Sequence, residues 1–310
     1  MLKRVVSGIM LMLLLISTLM FAIKVQPVEA SIDWWSMFHH DWEHIGYSTS
    51  TAPNINNTIW TYTAGDEVWS SPAIVDGIVY IGSMDGKVYA LNASNGALIW
   101  SYNVGYRIAW SSPAVAYGKV YIGSEDSRIY ALDAYTGAYL WSYMTYGYVD
   151  SSPVVAYSNV YIAGGNTIYA LDASTGSLVW NYATLDNIYA SSPAVAYGKV
   201  YIGSWDSRVY ALDAFSGALV WRYTTGDYID SSPAVAYGKV YIGSDDRKVY
   251  ALDAFDGDLV WSYTTGYWVD SSPAVAYGKV YIGSRDNKIY ALDASTGAFV
   301  WSYATGAVMW

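Results

Sequence analysis

The chain has 310 residues, a formal net charge of -10 and no cysteine, with 54% hydrophobic, 17% aromatic and only 14% charged residues. This composition excludes a disordered polyelectrolyte, and the lack of cysteine excludes disulfide staples, thiolate metal sites, cysteine nucleophiles and a lipidated N-terminal cysteine. The acidic balance argues against nucleic acid as a partner, because phosphate binding needs a basic footprint.

Residues 1–30 read as an export signal rather than as part of the fold. Lys3 and Arg4 precede an uncharged apolar run over residues 5–23, and Val28-Glu29-Ala30 resembles a cleavage site. An uncleaved anchor competes with cleavage, since 19 apolar residues just span a bilayer. On either reading the remainder is exported, secreted or held at the cell surface or in a periplasm, and touches membrane only through an uncleaved segment. Cleavage leaves 13 basic and 25 acidic residues.

A lead-in follows over residues 31–66. It holds all three histidines, His39, His40 and His44. His40 and His44 would share a face of a helix and could chelate a metal, but packing or capping is the expected use. Trp60, within residues 59–62, looks like the last strand of a blade whose other strands do not precede it.

From residue 67 the chain is periodic. Ser-Ser-Pro recurs with proline at 72, 113, 153, 193, 233 and 273, and a tryptophan closes each unit at 100, 141, 180, 221, 261 and 301. Repeats of this length must be a solenoid or a propeller. Within the fifth unit, residues 231–236 are extended, Tyr237-Gly238 turns, residues 239–243 alternate, Asp246-Arg247 turns, and residues 248–254 and 259–263 supply two more strands. Period-two β-branched and aromatic residues between Gly and Asp turns are the hairpin signature. Asp outnumbers Glu by 22 to 4, in keeping with a turn-rich chain. The fold predicted for residues 67–310 is therefore all-β: a propeller of four-stranded antiparallel blades, six complete repeats of about 40 residues.

Ala131-Leu132-Asp133-Ala134-Tyr135-Thr136-Gly137-Ala138-Tyr139-Leu140-Trp141 resembles the tryptophan-docking motif of the pyrroloquinoline-quinone-like propeller repeats. These repeats occur in quinoprotein dehydrogenases and in outer-membrane assembly lipoproteins. The frame recurs in every unit, with Asn92 replacing the aspartate in the first. The resemblance implies that each tryptophan docks on the neighbouring blade. Trp34, Met37, Phe38, Asp41, Gly46, Tyr47 and Ser48 resemble the opening that precedes many propellers of the same family.

The resemblance also raises a quinone-dependent oxidoreductase. Such enzymes use a larger propeller, asymmetric loops holding quinone and calcium, and often a vicinal cysteine disulfide. This chain has no cysteine and nearly identical units, whereas an active site needs residues that differ between blades. The repeated serines have no histidine within their units to act as base. The repeated aspartates, Asp133 and Asp126 with their equivalents, read as turn residues. No catalytic residue, cofactor or metal is expected.

Chemistry is left to the positions where units differ. These are the second hairpin turn, with Met84, Glu125, Trp205, Asp245 and Arg285 at equivalent sites, and the links between blades. In a four-stranded blade both lie on one face, at the channel mouth. The predicted ligand face comprises Trp69, Tyr106, Arg107, Trp110, Asp150, Tyr189, Trp205, Asp230, Trp268 and Asp270. Tyr, Trp and Arg are enriched at binding hot spots, and aromatics beside carboxylates suit a protein or a polysaccharide partner. The opposite face carries Tyr117, Tyr157, Tyr197, Tyr237 and Tyr277. The expected protein is an exported, non-catalytic binding scaffold with an incomplete seventh blade, built partly from residues 59–62; the rival to that last expectation is an open, truncated ring.

Overall fold

The structure, a computed structural model, describes residues 35–49 and 57–307. The predicted export signal, residues 1–30, lies outside the described residues. Among the described residues, six four-stranded antiparallel sheets follow one another as simple meanders. The first comprises β1 (Ala73–Val75), β2 (Ile78–Gly82), β3 (Lys87–Asn92) and β4 (Leu98–Asn103). The other blades span residues 114–144, 154–183, 194–224, 234–264 and 274–304. The chain is a β-propeller, with six full blades among the described residues and an incomplete blade beyond them.

The sequence explains each blade locally. Tyr237 and Gly238 have φ of 53° and 70°, the paired left-handed conformation of the tight hairpin turn that matches strand twist. In the next strand Val240, Tyr241 and Ile242 are all fully buried, because a middle strand is covered by a neighbouring blade on both faces. The outer strand is exposed except for its buried tryptophan and half-buried Tyr263, and an extra residue before that tryptophan shifts the register between Ala251 and Leu252. This is a β-bulge, and it sets the indole toward the next blade.

The indoles of Trp100, Trp141, Trp180, Trp221 and Trp261 each lie over the glycine of the following blade's turn. A Cβ on Gly257 would stand 2.6 Å from the Trp221 ring, and Gly257 also has a φ of +82°, so glycine is required twice over. The Trp221 indole N–H donates to the Ala254 carbonyl at 3.2 Å, and the Tyr201 hydroxyl donates to the same oxygen at 2.9 Å. The turn carboxylate holds this platform: Asp253 Oδ1 accepts from the Phe255 and Asp256 N–H groups. The second-turn aspartates are structural as well. Asp206 accepts a 2.5 Å bond from the Tyr210 hydroxyl and a 3.1 Å bond from the Leu185 N–H of the preceding link.

The Ser-Ser-Pro serines form a belt. The first of each pair accepts from its own blade, as Ser191 Oγ does from Gly203 N–H at 3.0 Å. The second accepts from the preceding blade: the N–H groups of Ser71, Ser112, Ser152, Ser192 and Ser232 donate to Oγ of Ser112, Ser152, Ser192, Ser232 and Ser272. Ser192→Ala should leave the buried Ser152 N–H without its acceptor and cost about 1–3 kcal/mol. A thermal melt indistinguishable from wild type would show that the belt is incidental.

The lead-in runs along the inner edges of the blades. The carbonyls of Trp35, Ser36, Trp42, Glu43 and Ile45 accept from the N–H groups of Ile74, Val115, Val195, Val235 and Val275, at 2.6–2.8 Å. One short segment thus satisfies first-strand donors in blades 1, 2, 4, 5 and 6. No helix forms there, so the expected helical face shared by His40 and His44 does not arise. His39, His40 and His44 instead have positive φ of 53°, 82° and 58°. His39 stacks on Phe38, His40 pairs with Asp41, and His44 is fully buried.

Residues 59–62 form no ladder among the described residues, so the strand expected there is an unpaired stretch. Trp60 still occupies the docking position: its indole N–H donates to the Ala93 carbonyl at 2.8 Å, and its ring lies against Gly96. At the other end Trp301 is 41% exposed, whereas the other five unit-closing tryptophans are 7–8% exposed.

Candidate functional site

The links and second hairpin turns do share a face. The N–H groups of Glu125, Trp205, Asp245 and Arg285 donate to the carbonyls of Arg107, Asn187, Tyr228 and Trp268. Each variable turn is thereby tied to the link preceding its own blade. The variable positions converge because the invariant backbone stitches them together.

They surround a cavity of about 330 Å³ at the channel mouth, lined by the second serine of every blade and by Phe38 of the lead-in. Its upper wall carries Trp69, Trp110, Tyr189, Asp230, Asp270 and Arg285. Trp69 and Trp110 face each other with ring centroids 5.0 Å apart, and Tyr189 lies 5.2 Å from Trp205. The Trp205 indole N–H donates to Asp230 Oδ1 at 2.6 Å. Arg285 forms an ion pair with Asp270 and sits 5.1 Å over the Trp268 ring.

Carboxylates crowd this wall. Oxygens of Asp230, Asp245 and Asp270 all lie within 4.8 Å of one another. Burial pushes the Asp245 carboxyl well up, and the Asp270 and Asp230 charges push it further. Burial also raises Asp230, against the opposing hydrogen bond from Trp205. Asp150 is 6% exposed and its Oδ1 has no hydrogen-bond partner. Burial, and secondarily Glu125, raises its pKa from 3.8 to about 7. Burial and then the Asp150 charge raise the Tyr189 hydroxyl.

Of the ten residues selected from the sequence, Trp69, Trp110, Tyr189, Asp230 and Asp270 line the cavity directly. Trp205 and Trp268 support it through Asp230 and Arg285, while Asp150 is buried next to the lining residue Ser152. Tyr106 and Arg107 stand apart on the exposed rim, where their carbonyls meet Ser124. Asp245, Arg285, Phe38 and the serines belong to the site without having been selected. Asp245 and Arg285 carried a signal, as odd members of an otherwise equivalent turn position.

A family model described as outer membrane protein assembly factor BamB matches residues 49–204, 145–228 and 206–309. Among solved structures, BamB from Moraxella catarrhalis is 23% identical with a TM-score of 0.68, covering 77% of this chain and 76% of that one. The computationally designed Ika8 protein is 17% identical with a TM-score of 0.71, covering 81% and 79%. The quinohemoprotein alcohol dehydrogenase ADHIIG from Pseudomonas putida HK5 is 16% identical with a TM-score of 0.58, covering 89% and 73%. No curated protein matches. An assembly factor, a designed protein and a dehydrogenase share this fold, so function has to be argued from the site. The matched residues extend through all six blades, and the chain belongs to the outer membrane protein assembly factor BamB family.

Proposed function

We propose that this protein is an exported, non-catalytic propeller scaffold that binds a protein partner at the cell envelope through its channel-mouth face. The observation that carries this reading is the concentration of blade-to-blade differences on one aromatic and acidic cavity wall, while the repeated residues serve turns, docking and the serine belt. Exposed indoles beside carboxylates are the composition of binding hot spots. Membership of a family described as an assembly factor favours a protein over a polysaccharide. The quinone-dependent oxidoreductase is the weaker reading: the sequence contains no cysteine for a disulfide over the quinone.

The test is capture of envelope proteins by the full chain and by the Trp69→Ala/Trp110→Ala double variant. Both indoles are substantially exposed, at 47% and 39%, so the variant should melt within a few degrees of wild type. It should lose at least tenfold in partner capture. Equal capture by both proteins would overturn the binding face. A new quinone absorbance band after incubation with pyrroloquinoline quinone and calcium would favour the oxidoreductase.

A further inference from the structure

Buried carboxylates are tolerated when paired or hydrogen-bonded and are costly otherwise. At the channel mouth Arg285 answers Asp270. Asp150 has no comparable partner: it is 6% exposed and its Oδ1 is unsatisfied. Asp150 precedes Ser151-Ser152 as Ala190, Asp230 and Asp270 precede their own serine pairs, and those three residues and Ser152 line the cavity. Its charge acts on Tyr189, which also lines the cavity. An unanswered, buried carboxylate therefore stands directly behind Ser152 of a cavity whose lining carries Asp230 and Asp270 beside indole and phenol rings.

We infer that this cavity binds an organic cation, the ammonium or guanidinium group of a lysine or arginine side chain presented by the partner. The inference rests on the scaffold reading above and names what that scaffold recognises. Arg285 already displays the chemistry within the chain, its guanidinium paired with Asp270 and lying 5.1 Å over the Trp268 ring. Trp69, Trp110 and Tyr189 add aromatic rings to the lining of the same cavity. Cation–π attraction is strongest where the cation is desolvated, and carboxylates within the same wall supply the compensating charge. A calcium ion takes oxygen ligands alone and would use the converging carboxylates of Asp230, Asp245 and Asp270 but not the aromatic rings of the lining. An organic cation uses both kinds of group.

The experiment is calorimetric titration of the full chain with three probes: Nα-acetyl-lysine methylamide, its uncharged norleucine counterpart, and calcium chloride. The lysine probe should bind at least tenfold more tightly than the norleucine probe. Asp150→Asn and Asp230→Asn should each weaken it about tenfold, and Asp133→Asn, in a docking turn, should leave it unchanged. Equal binding of the two amino-acid probes, binding of calcium without the lysine probe, or unaltered binding by both mouth variants would each overturn the inference. Envelope capture separates the two levels. Capture that still depends on Trp69 and Trp110 without lysine-probe binding overturns only the cation assignment. Capture independent of those residues overturns the scaffold reading itself.

Discussion

Trp221→Ala is expected to destabilise the protein by roughly 3–5 kcal/mol, and Trp301→Ala by less than about 1 kcal/mol. The two residues occupy the same position in their units, so propensity, strand pairing and the local bulge are matched. What differs is the surface beyond the indole. Trp221 lies over Gly257 and donates to Ala254, and its removal leaves a cavity between two blades and takes one of two donors from the Ala254 carbonyl. Trp301 is 41% exposed, so truncation there removes much less buried area and opens no enclosed void. Thermal and urea midpoints of the two variants make the comparison. Losses of equal size would mean that the indoles stabilise their own blades and contribute nothing between blades.

Asp150→Asn should stabilise the protein by a few kcal/mol at pH 8 and have little effect near pH 4. In the folded chain the carboxyl titrates at about 7 and in the unfolded chain near its ordinary 3.8. Between these values the native state binds the proton that the unfolded state has released, so stability falls as pH rises across that window. Above pH 7 the whole penalty is present, on the order of a few kcal/mol for a shift of this size. Asparagine keeps the shape and removes the charge. Melting curves of both proteins from pH 4 to 8 test it, and a gain of the same size throughout would assign the effect to packing. The same substitution is expected to weaken capture of a cation. A residue that costs stability and contributes to binding is the stability–function trade-off expected of a binding site.

The fold was legible because its signals are local and repeated. Ser-Ser-Pro, the Tyr-Gly turn and the Asp-to-Trp frame each fix one piece of backbone, and their 40-residue period orders the pieces. Half of the site was legible for the same reason: Trp69, Trp110, Tyr189, Asp230 and Asp270 lie in links whose position follows from the meander. Asp245 and Arg285 were harder to select. Asp245 lies in the turn of the fifth blade, Asp270 in the link after it and Arg285 in the turn of the sixth. Their meeting depends on how neighbouring blades are set against each other, which no single repeat encodes. The repeated aspartates are turn residues, as their period indicates, but Asp230, Asp245 and Asp270 differ from blade to blade and carry no such period. The path of residues 35–48 was not legible either, since its bonds are made by carbonyls and carry almost no side-chain signature.

That path changes how the molecule must come together. An array of similar repeats, each touching its neighbours, gains and loses structure by increments and frays from its ends. Here a segment that precedes every blade in the chain bonds to Ile74 in the first blade and to Val275 in the sixth. Loop closures of that span are slow and are rewarded late. Blades can form in succession during synthesis, but the lead-in cannot complete its bonds until the last of them exists. Its docking therefore comes at the end of folding and its release at the start of unfolding, and it converts a graded, nearest-neighbour array into one cooperative unit.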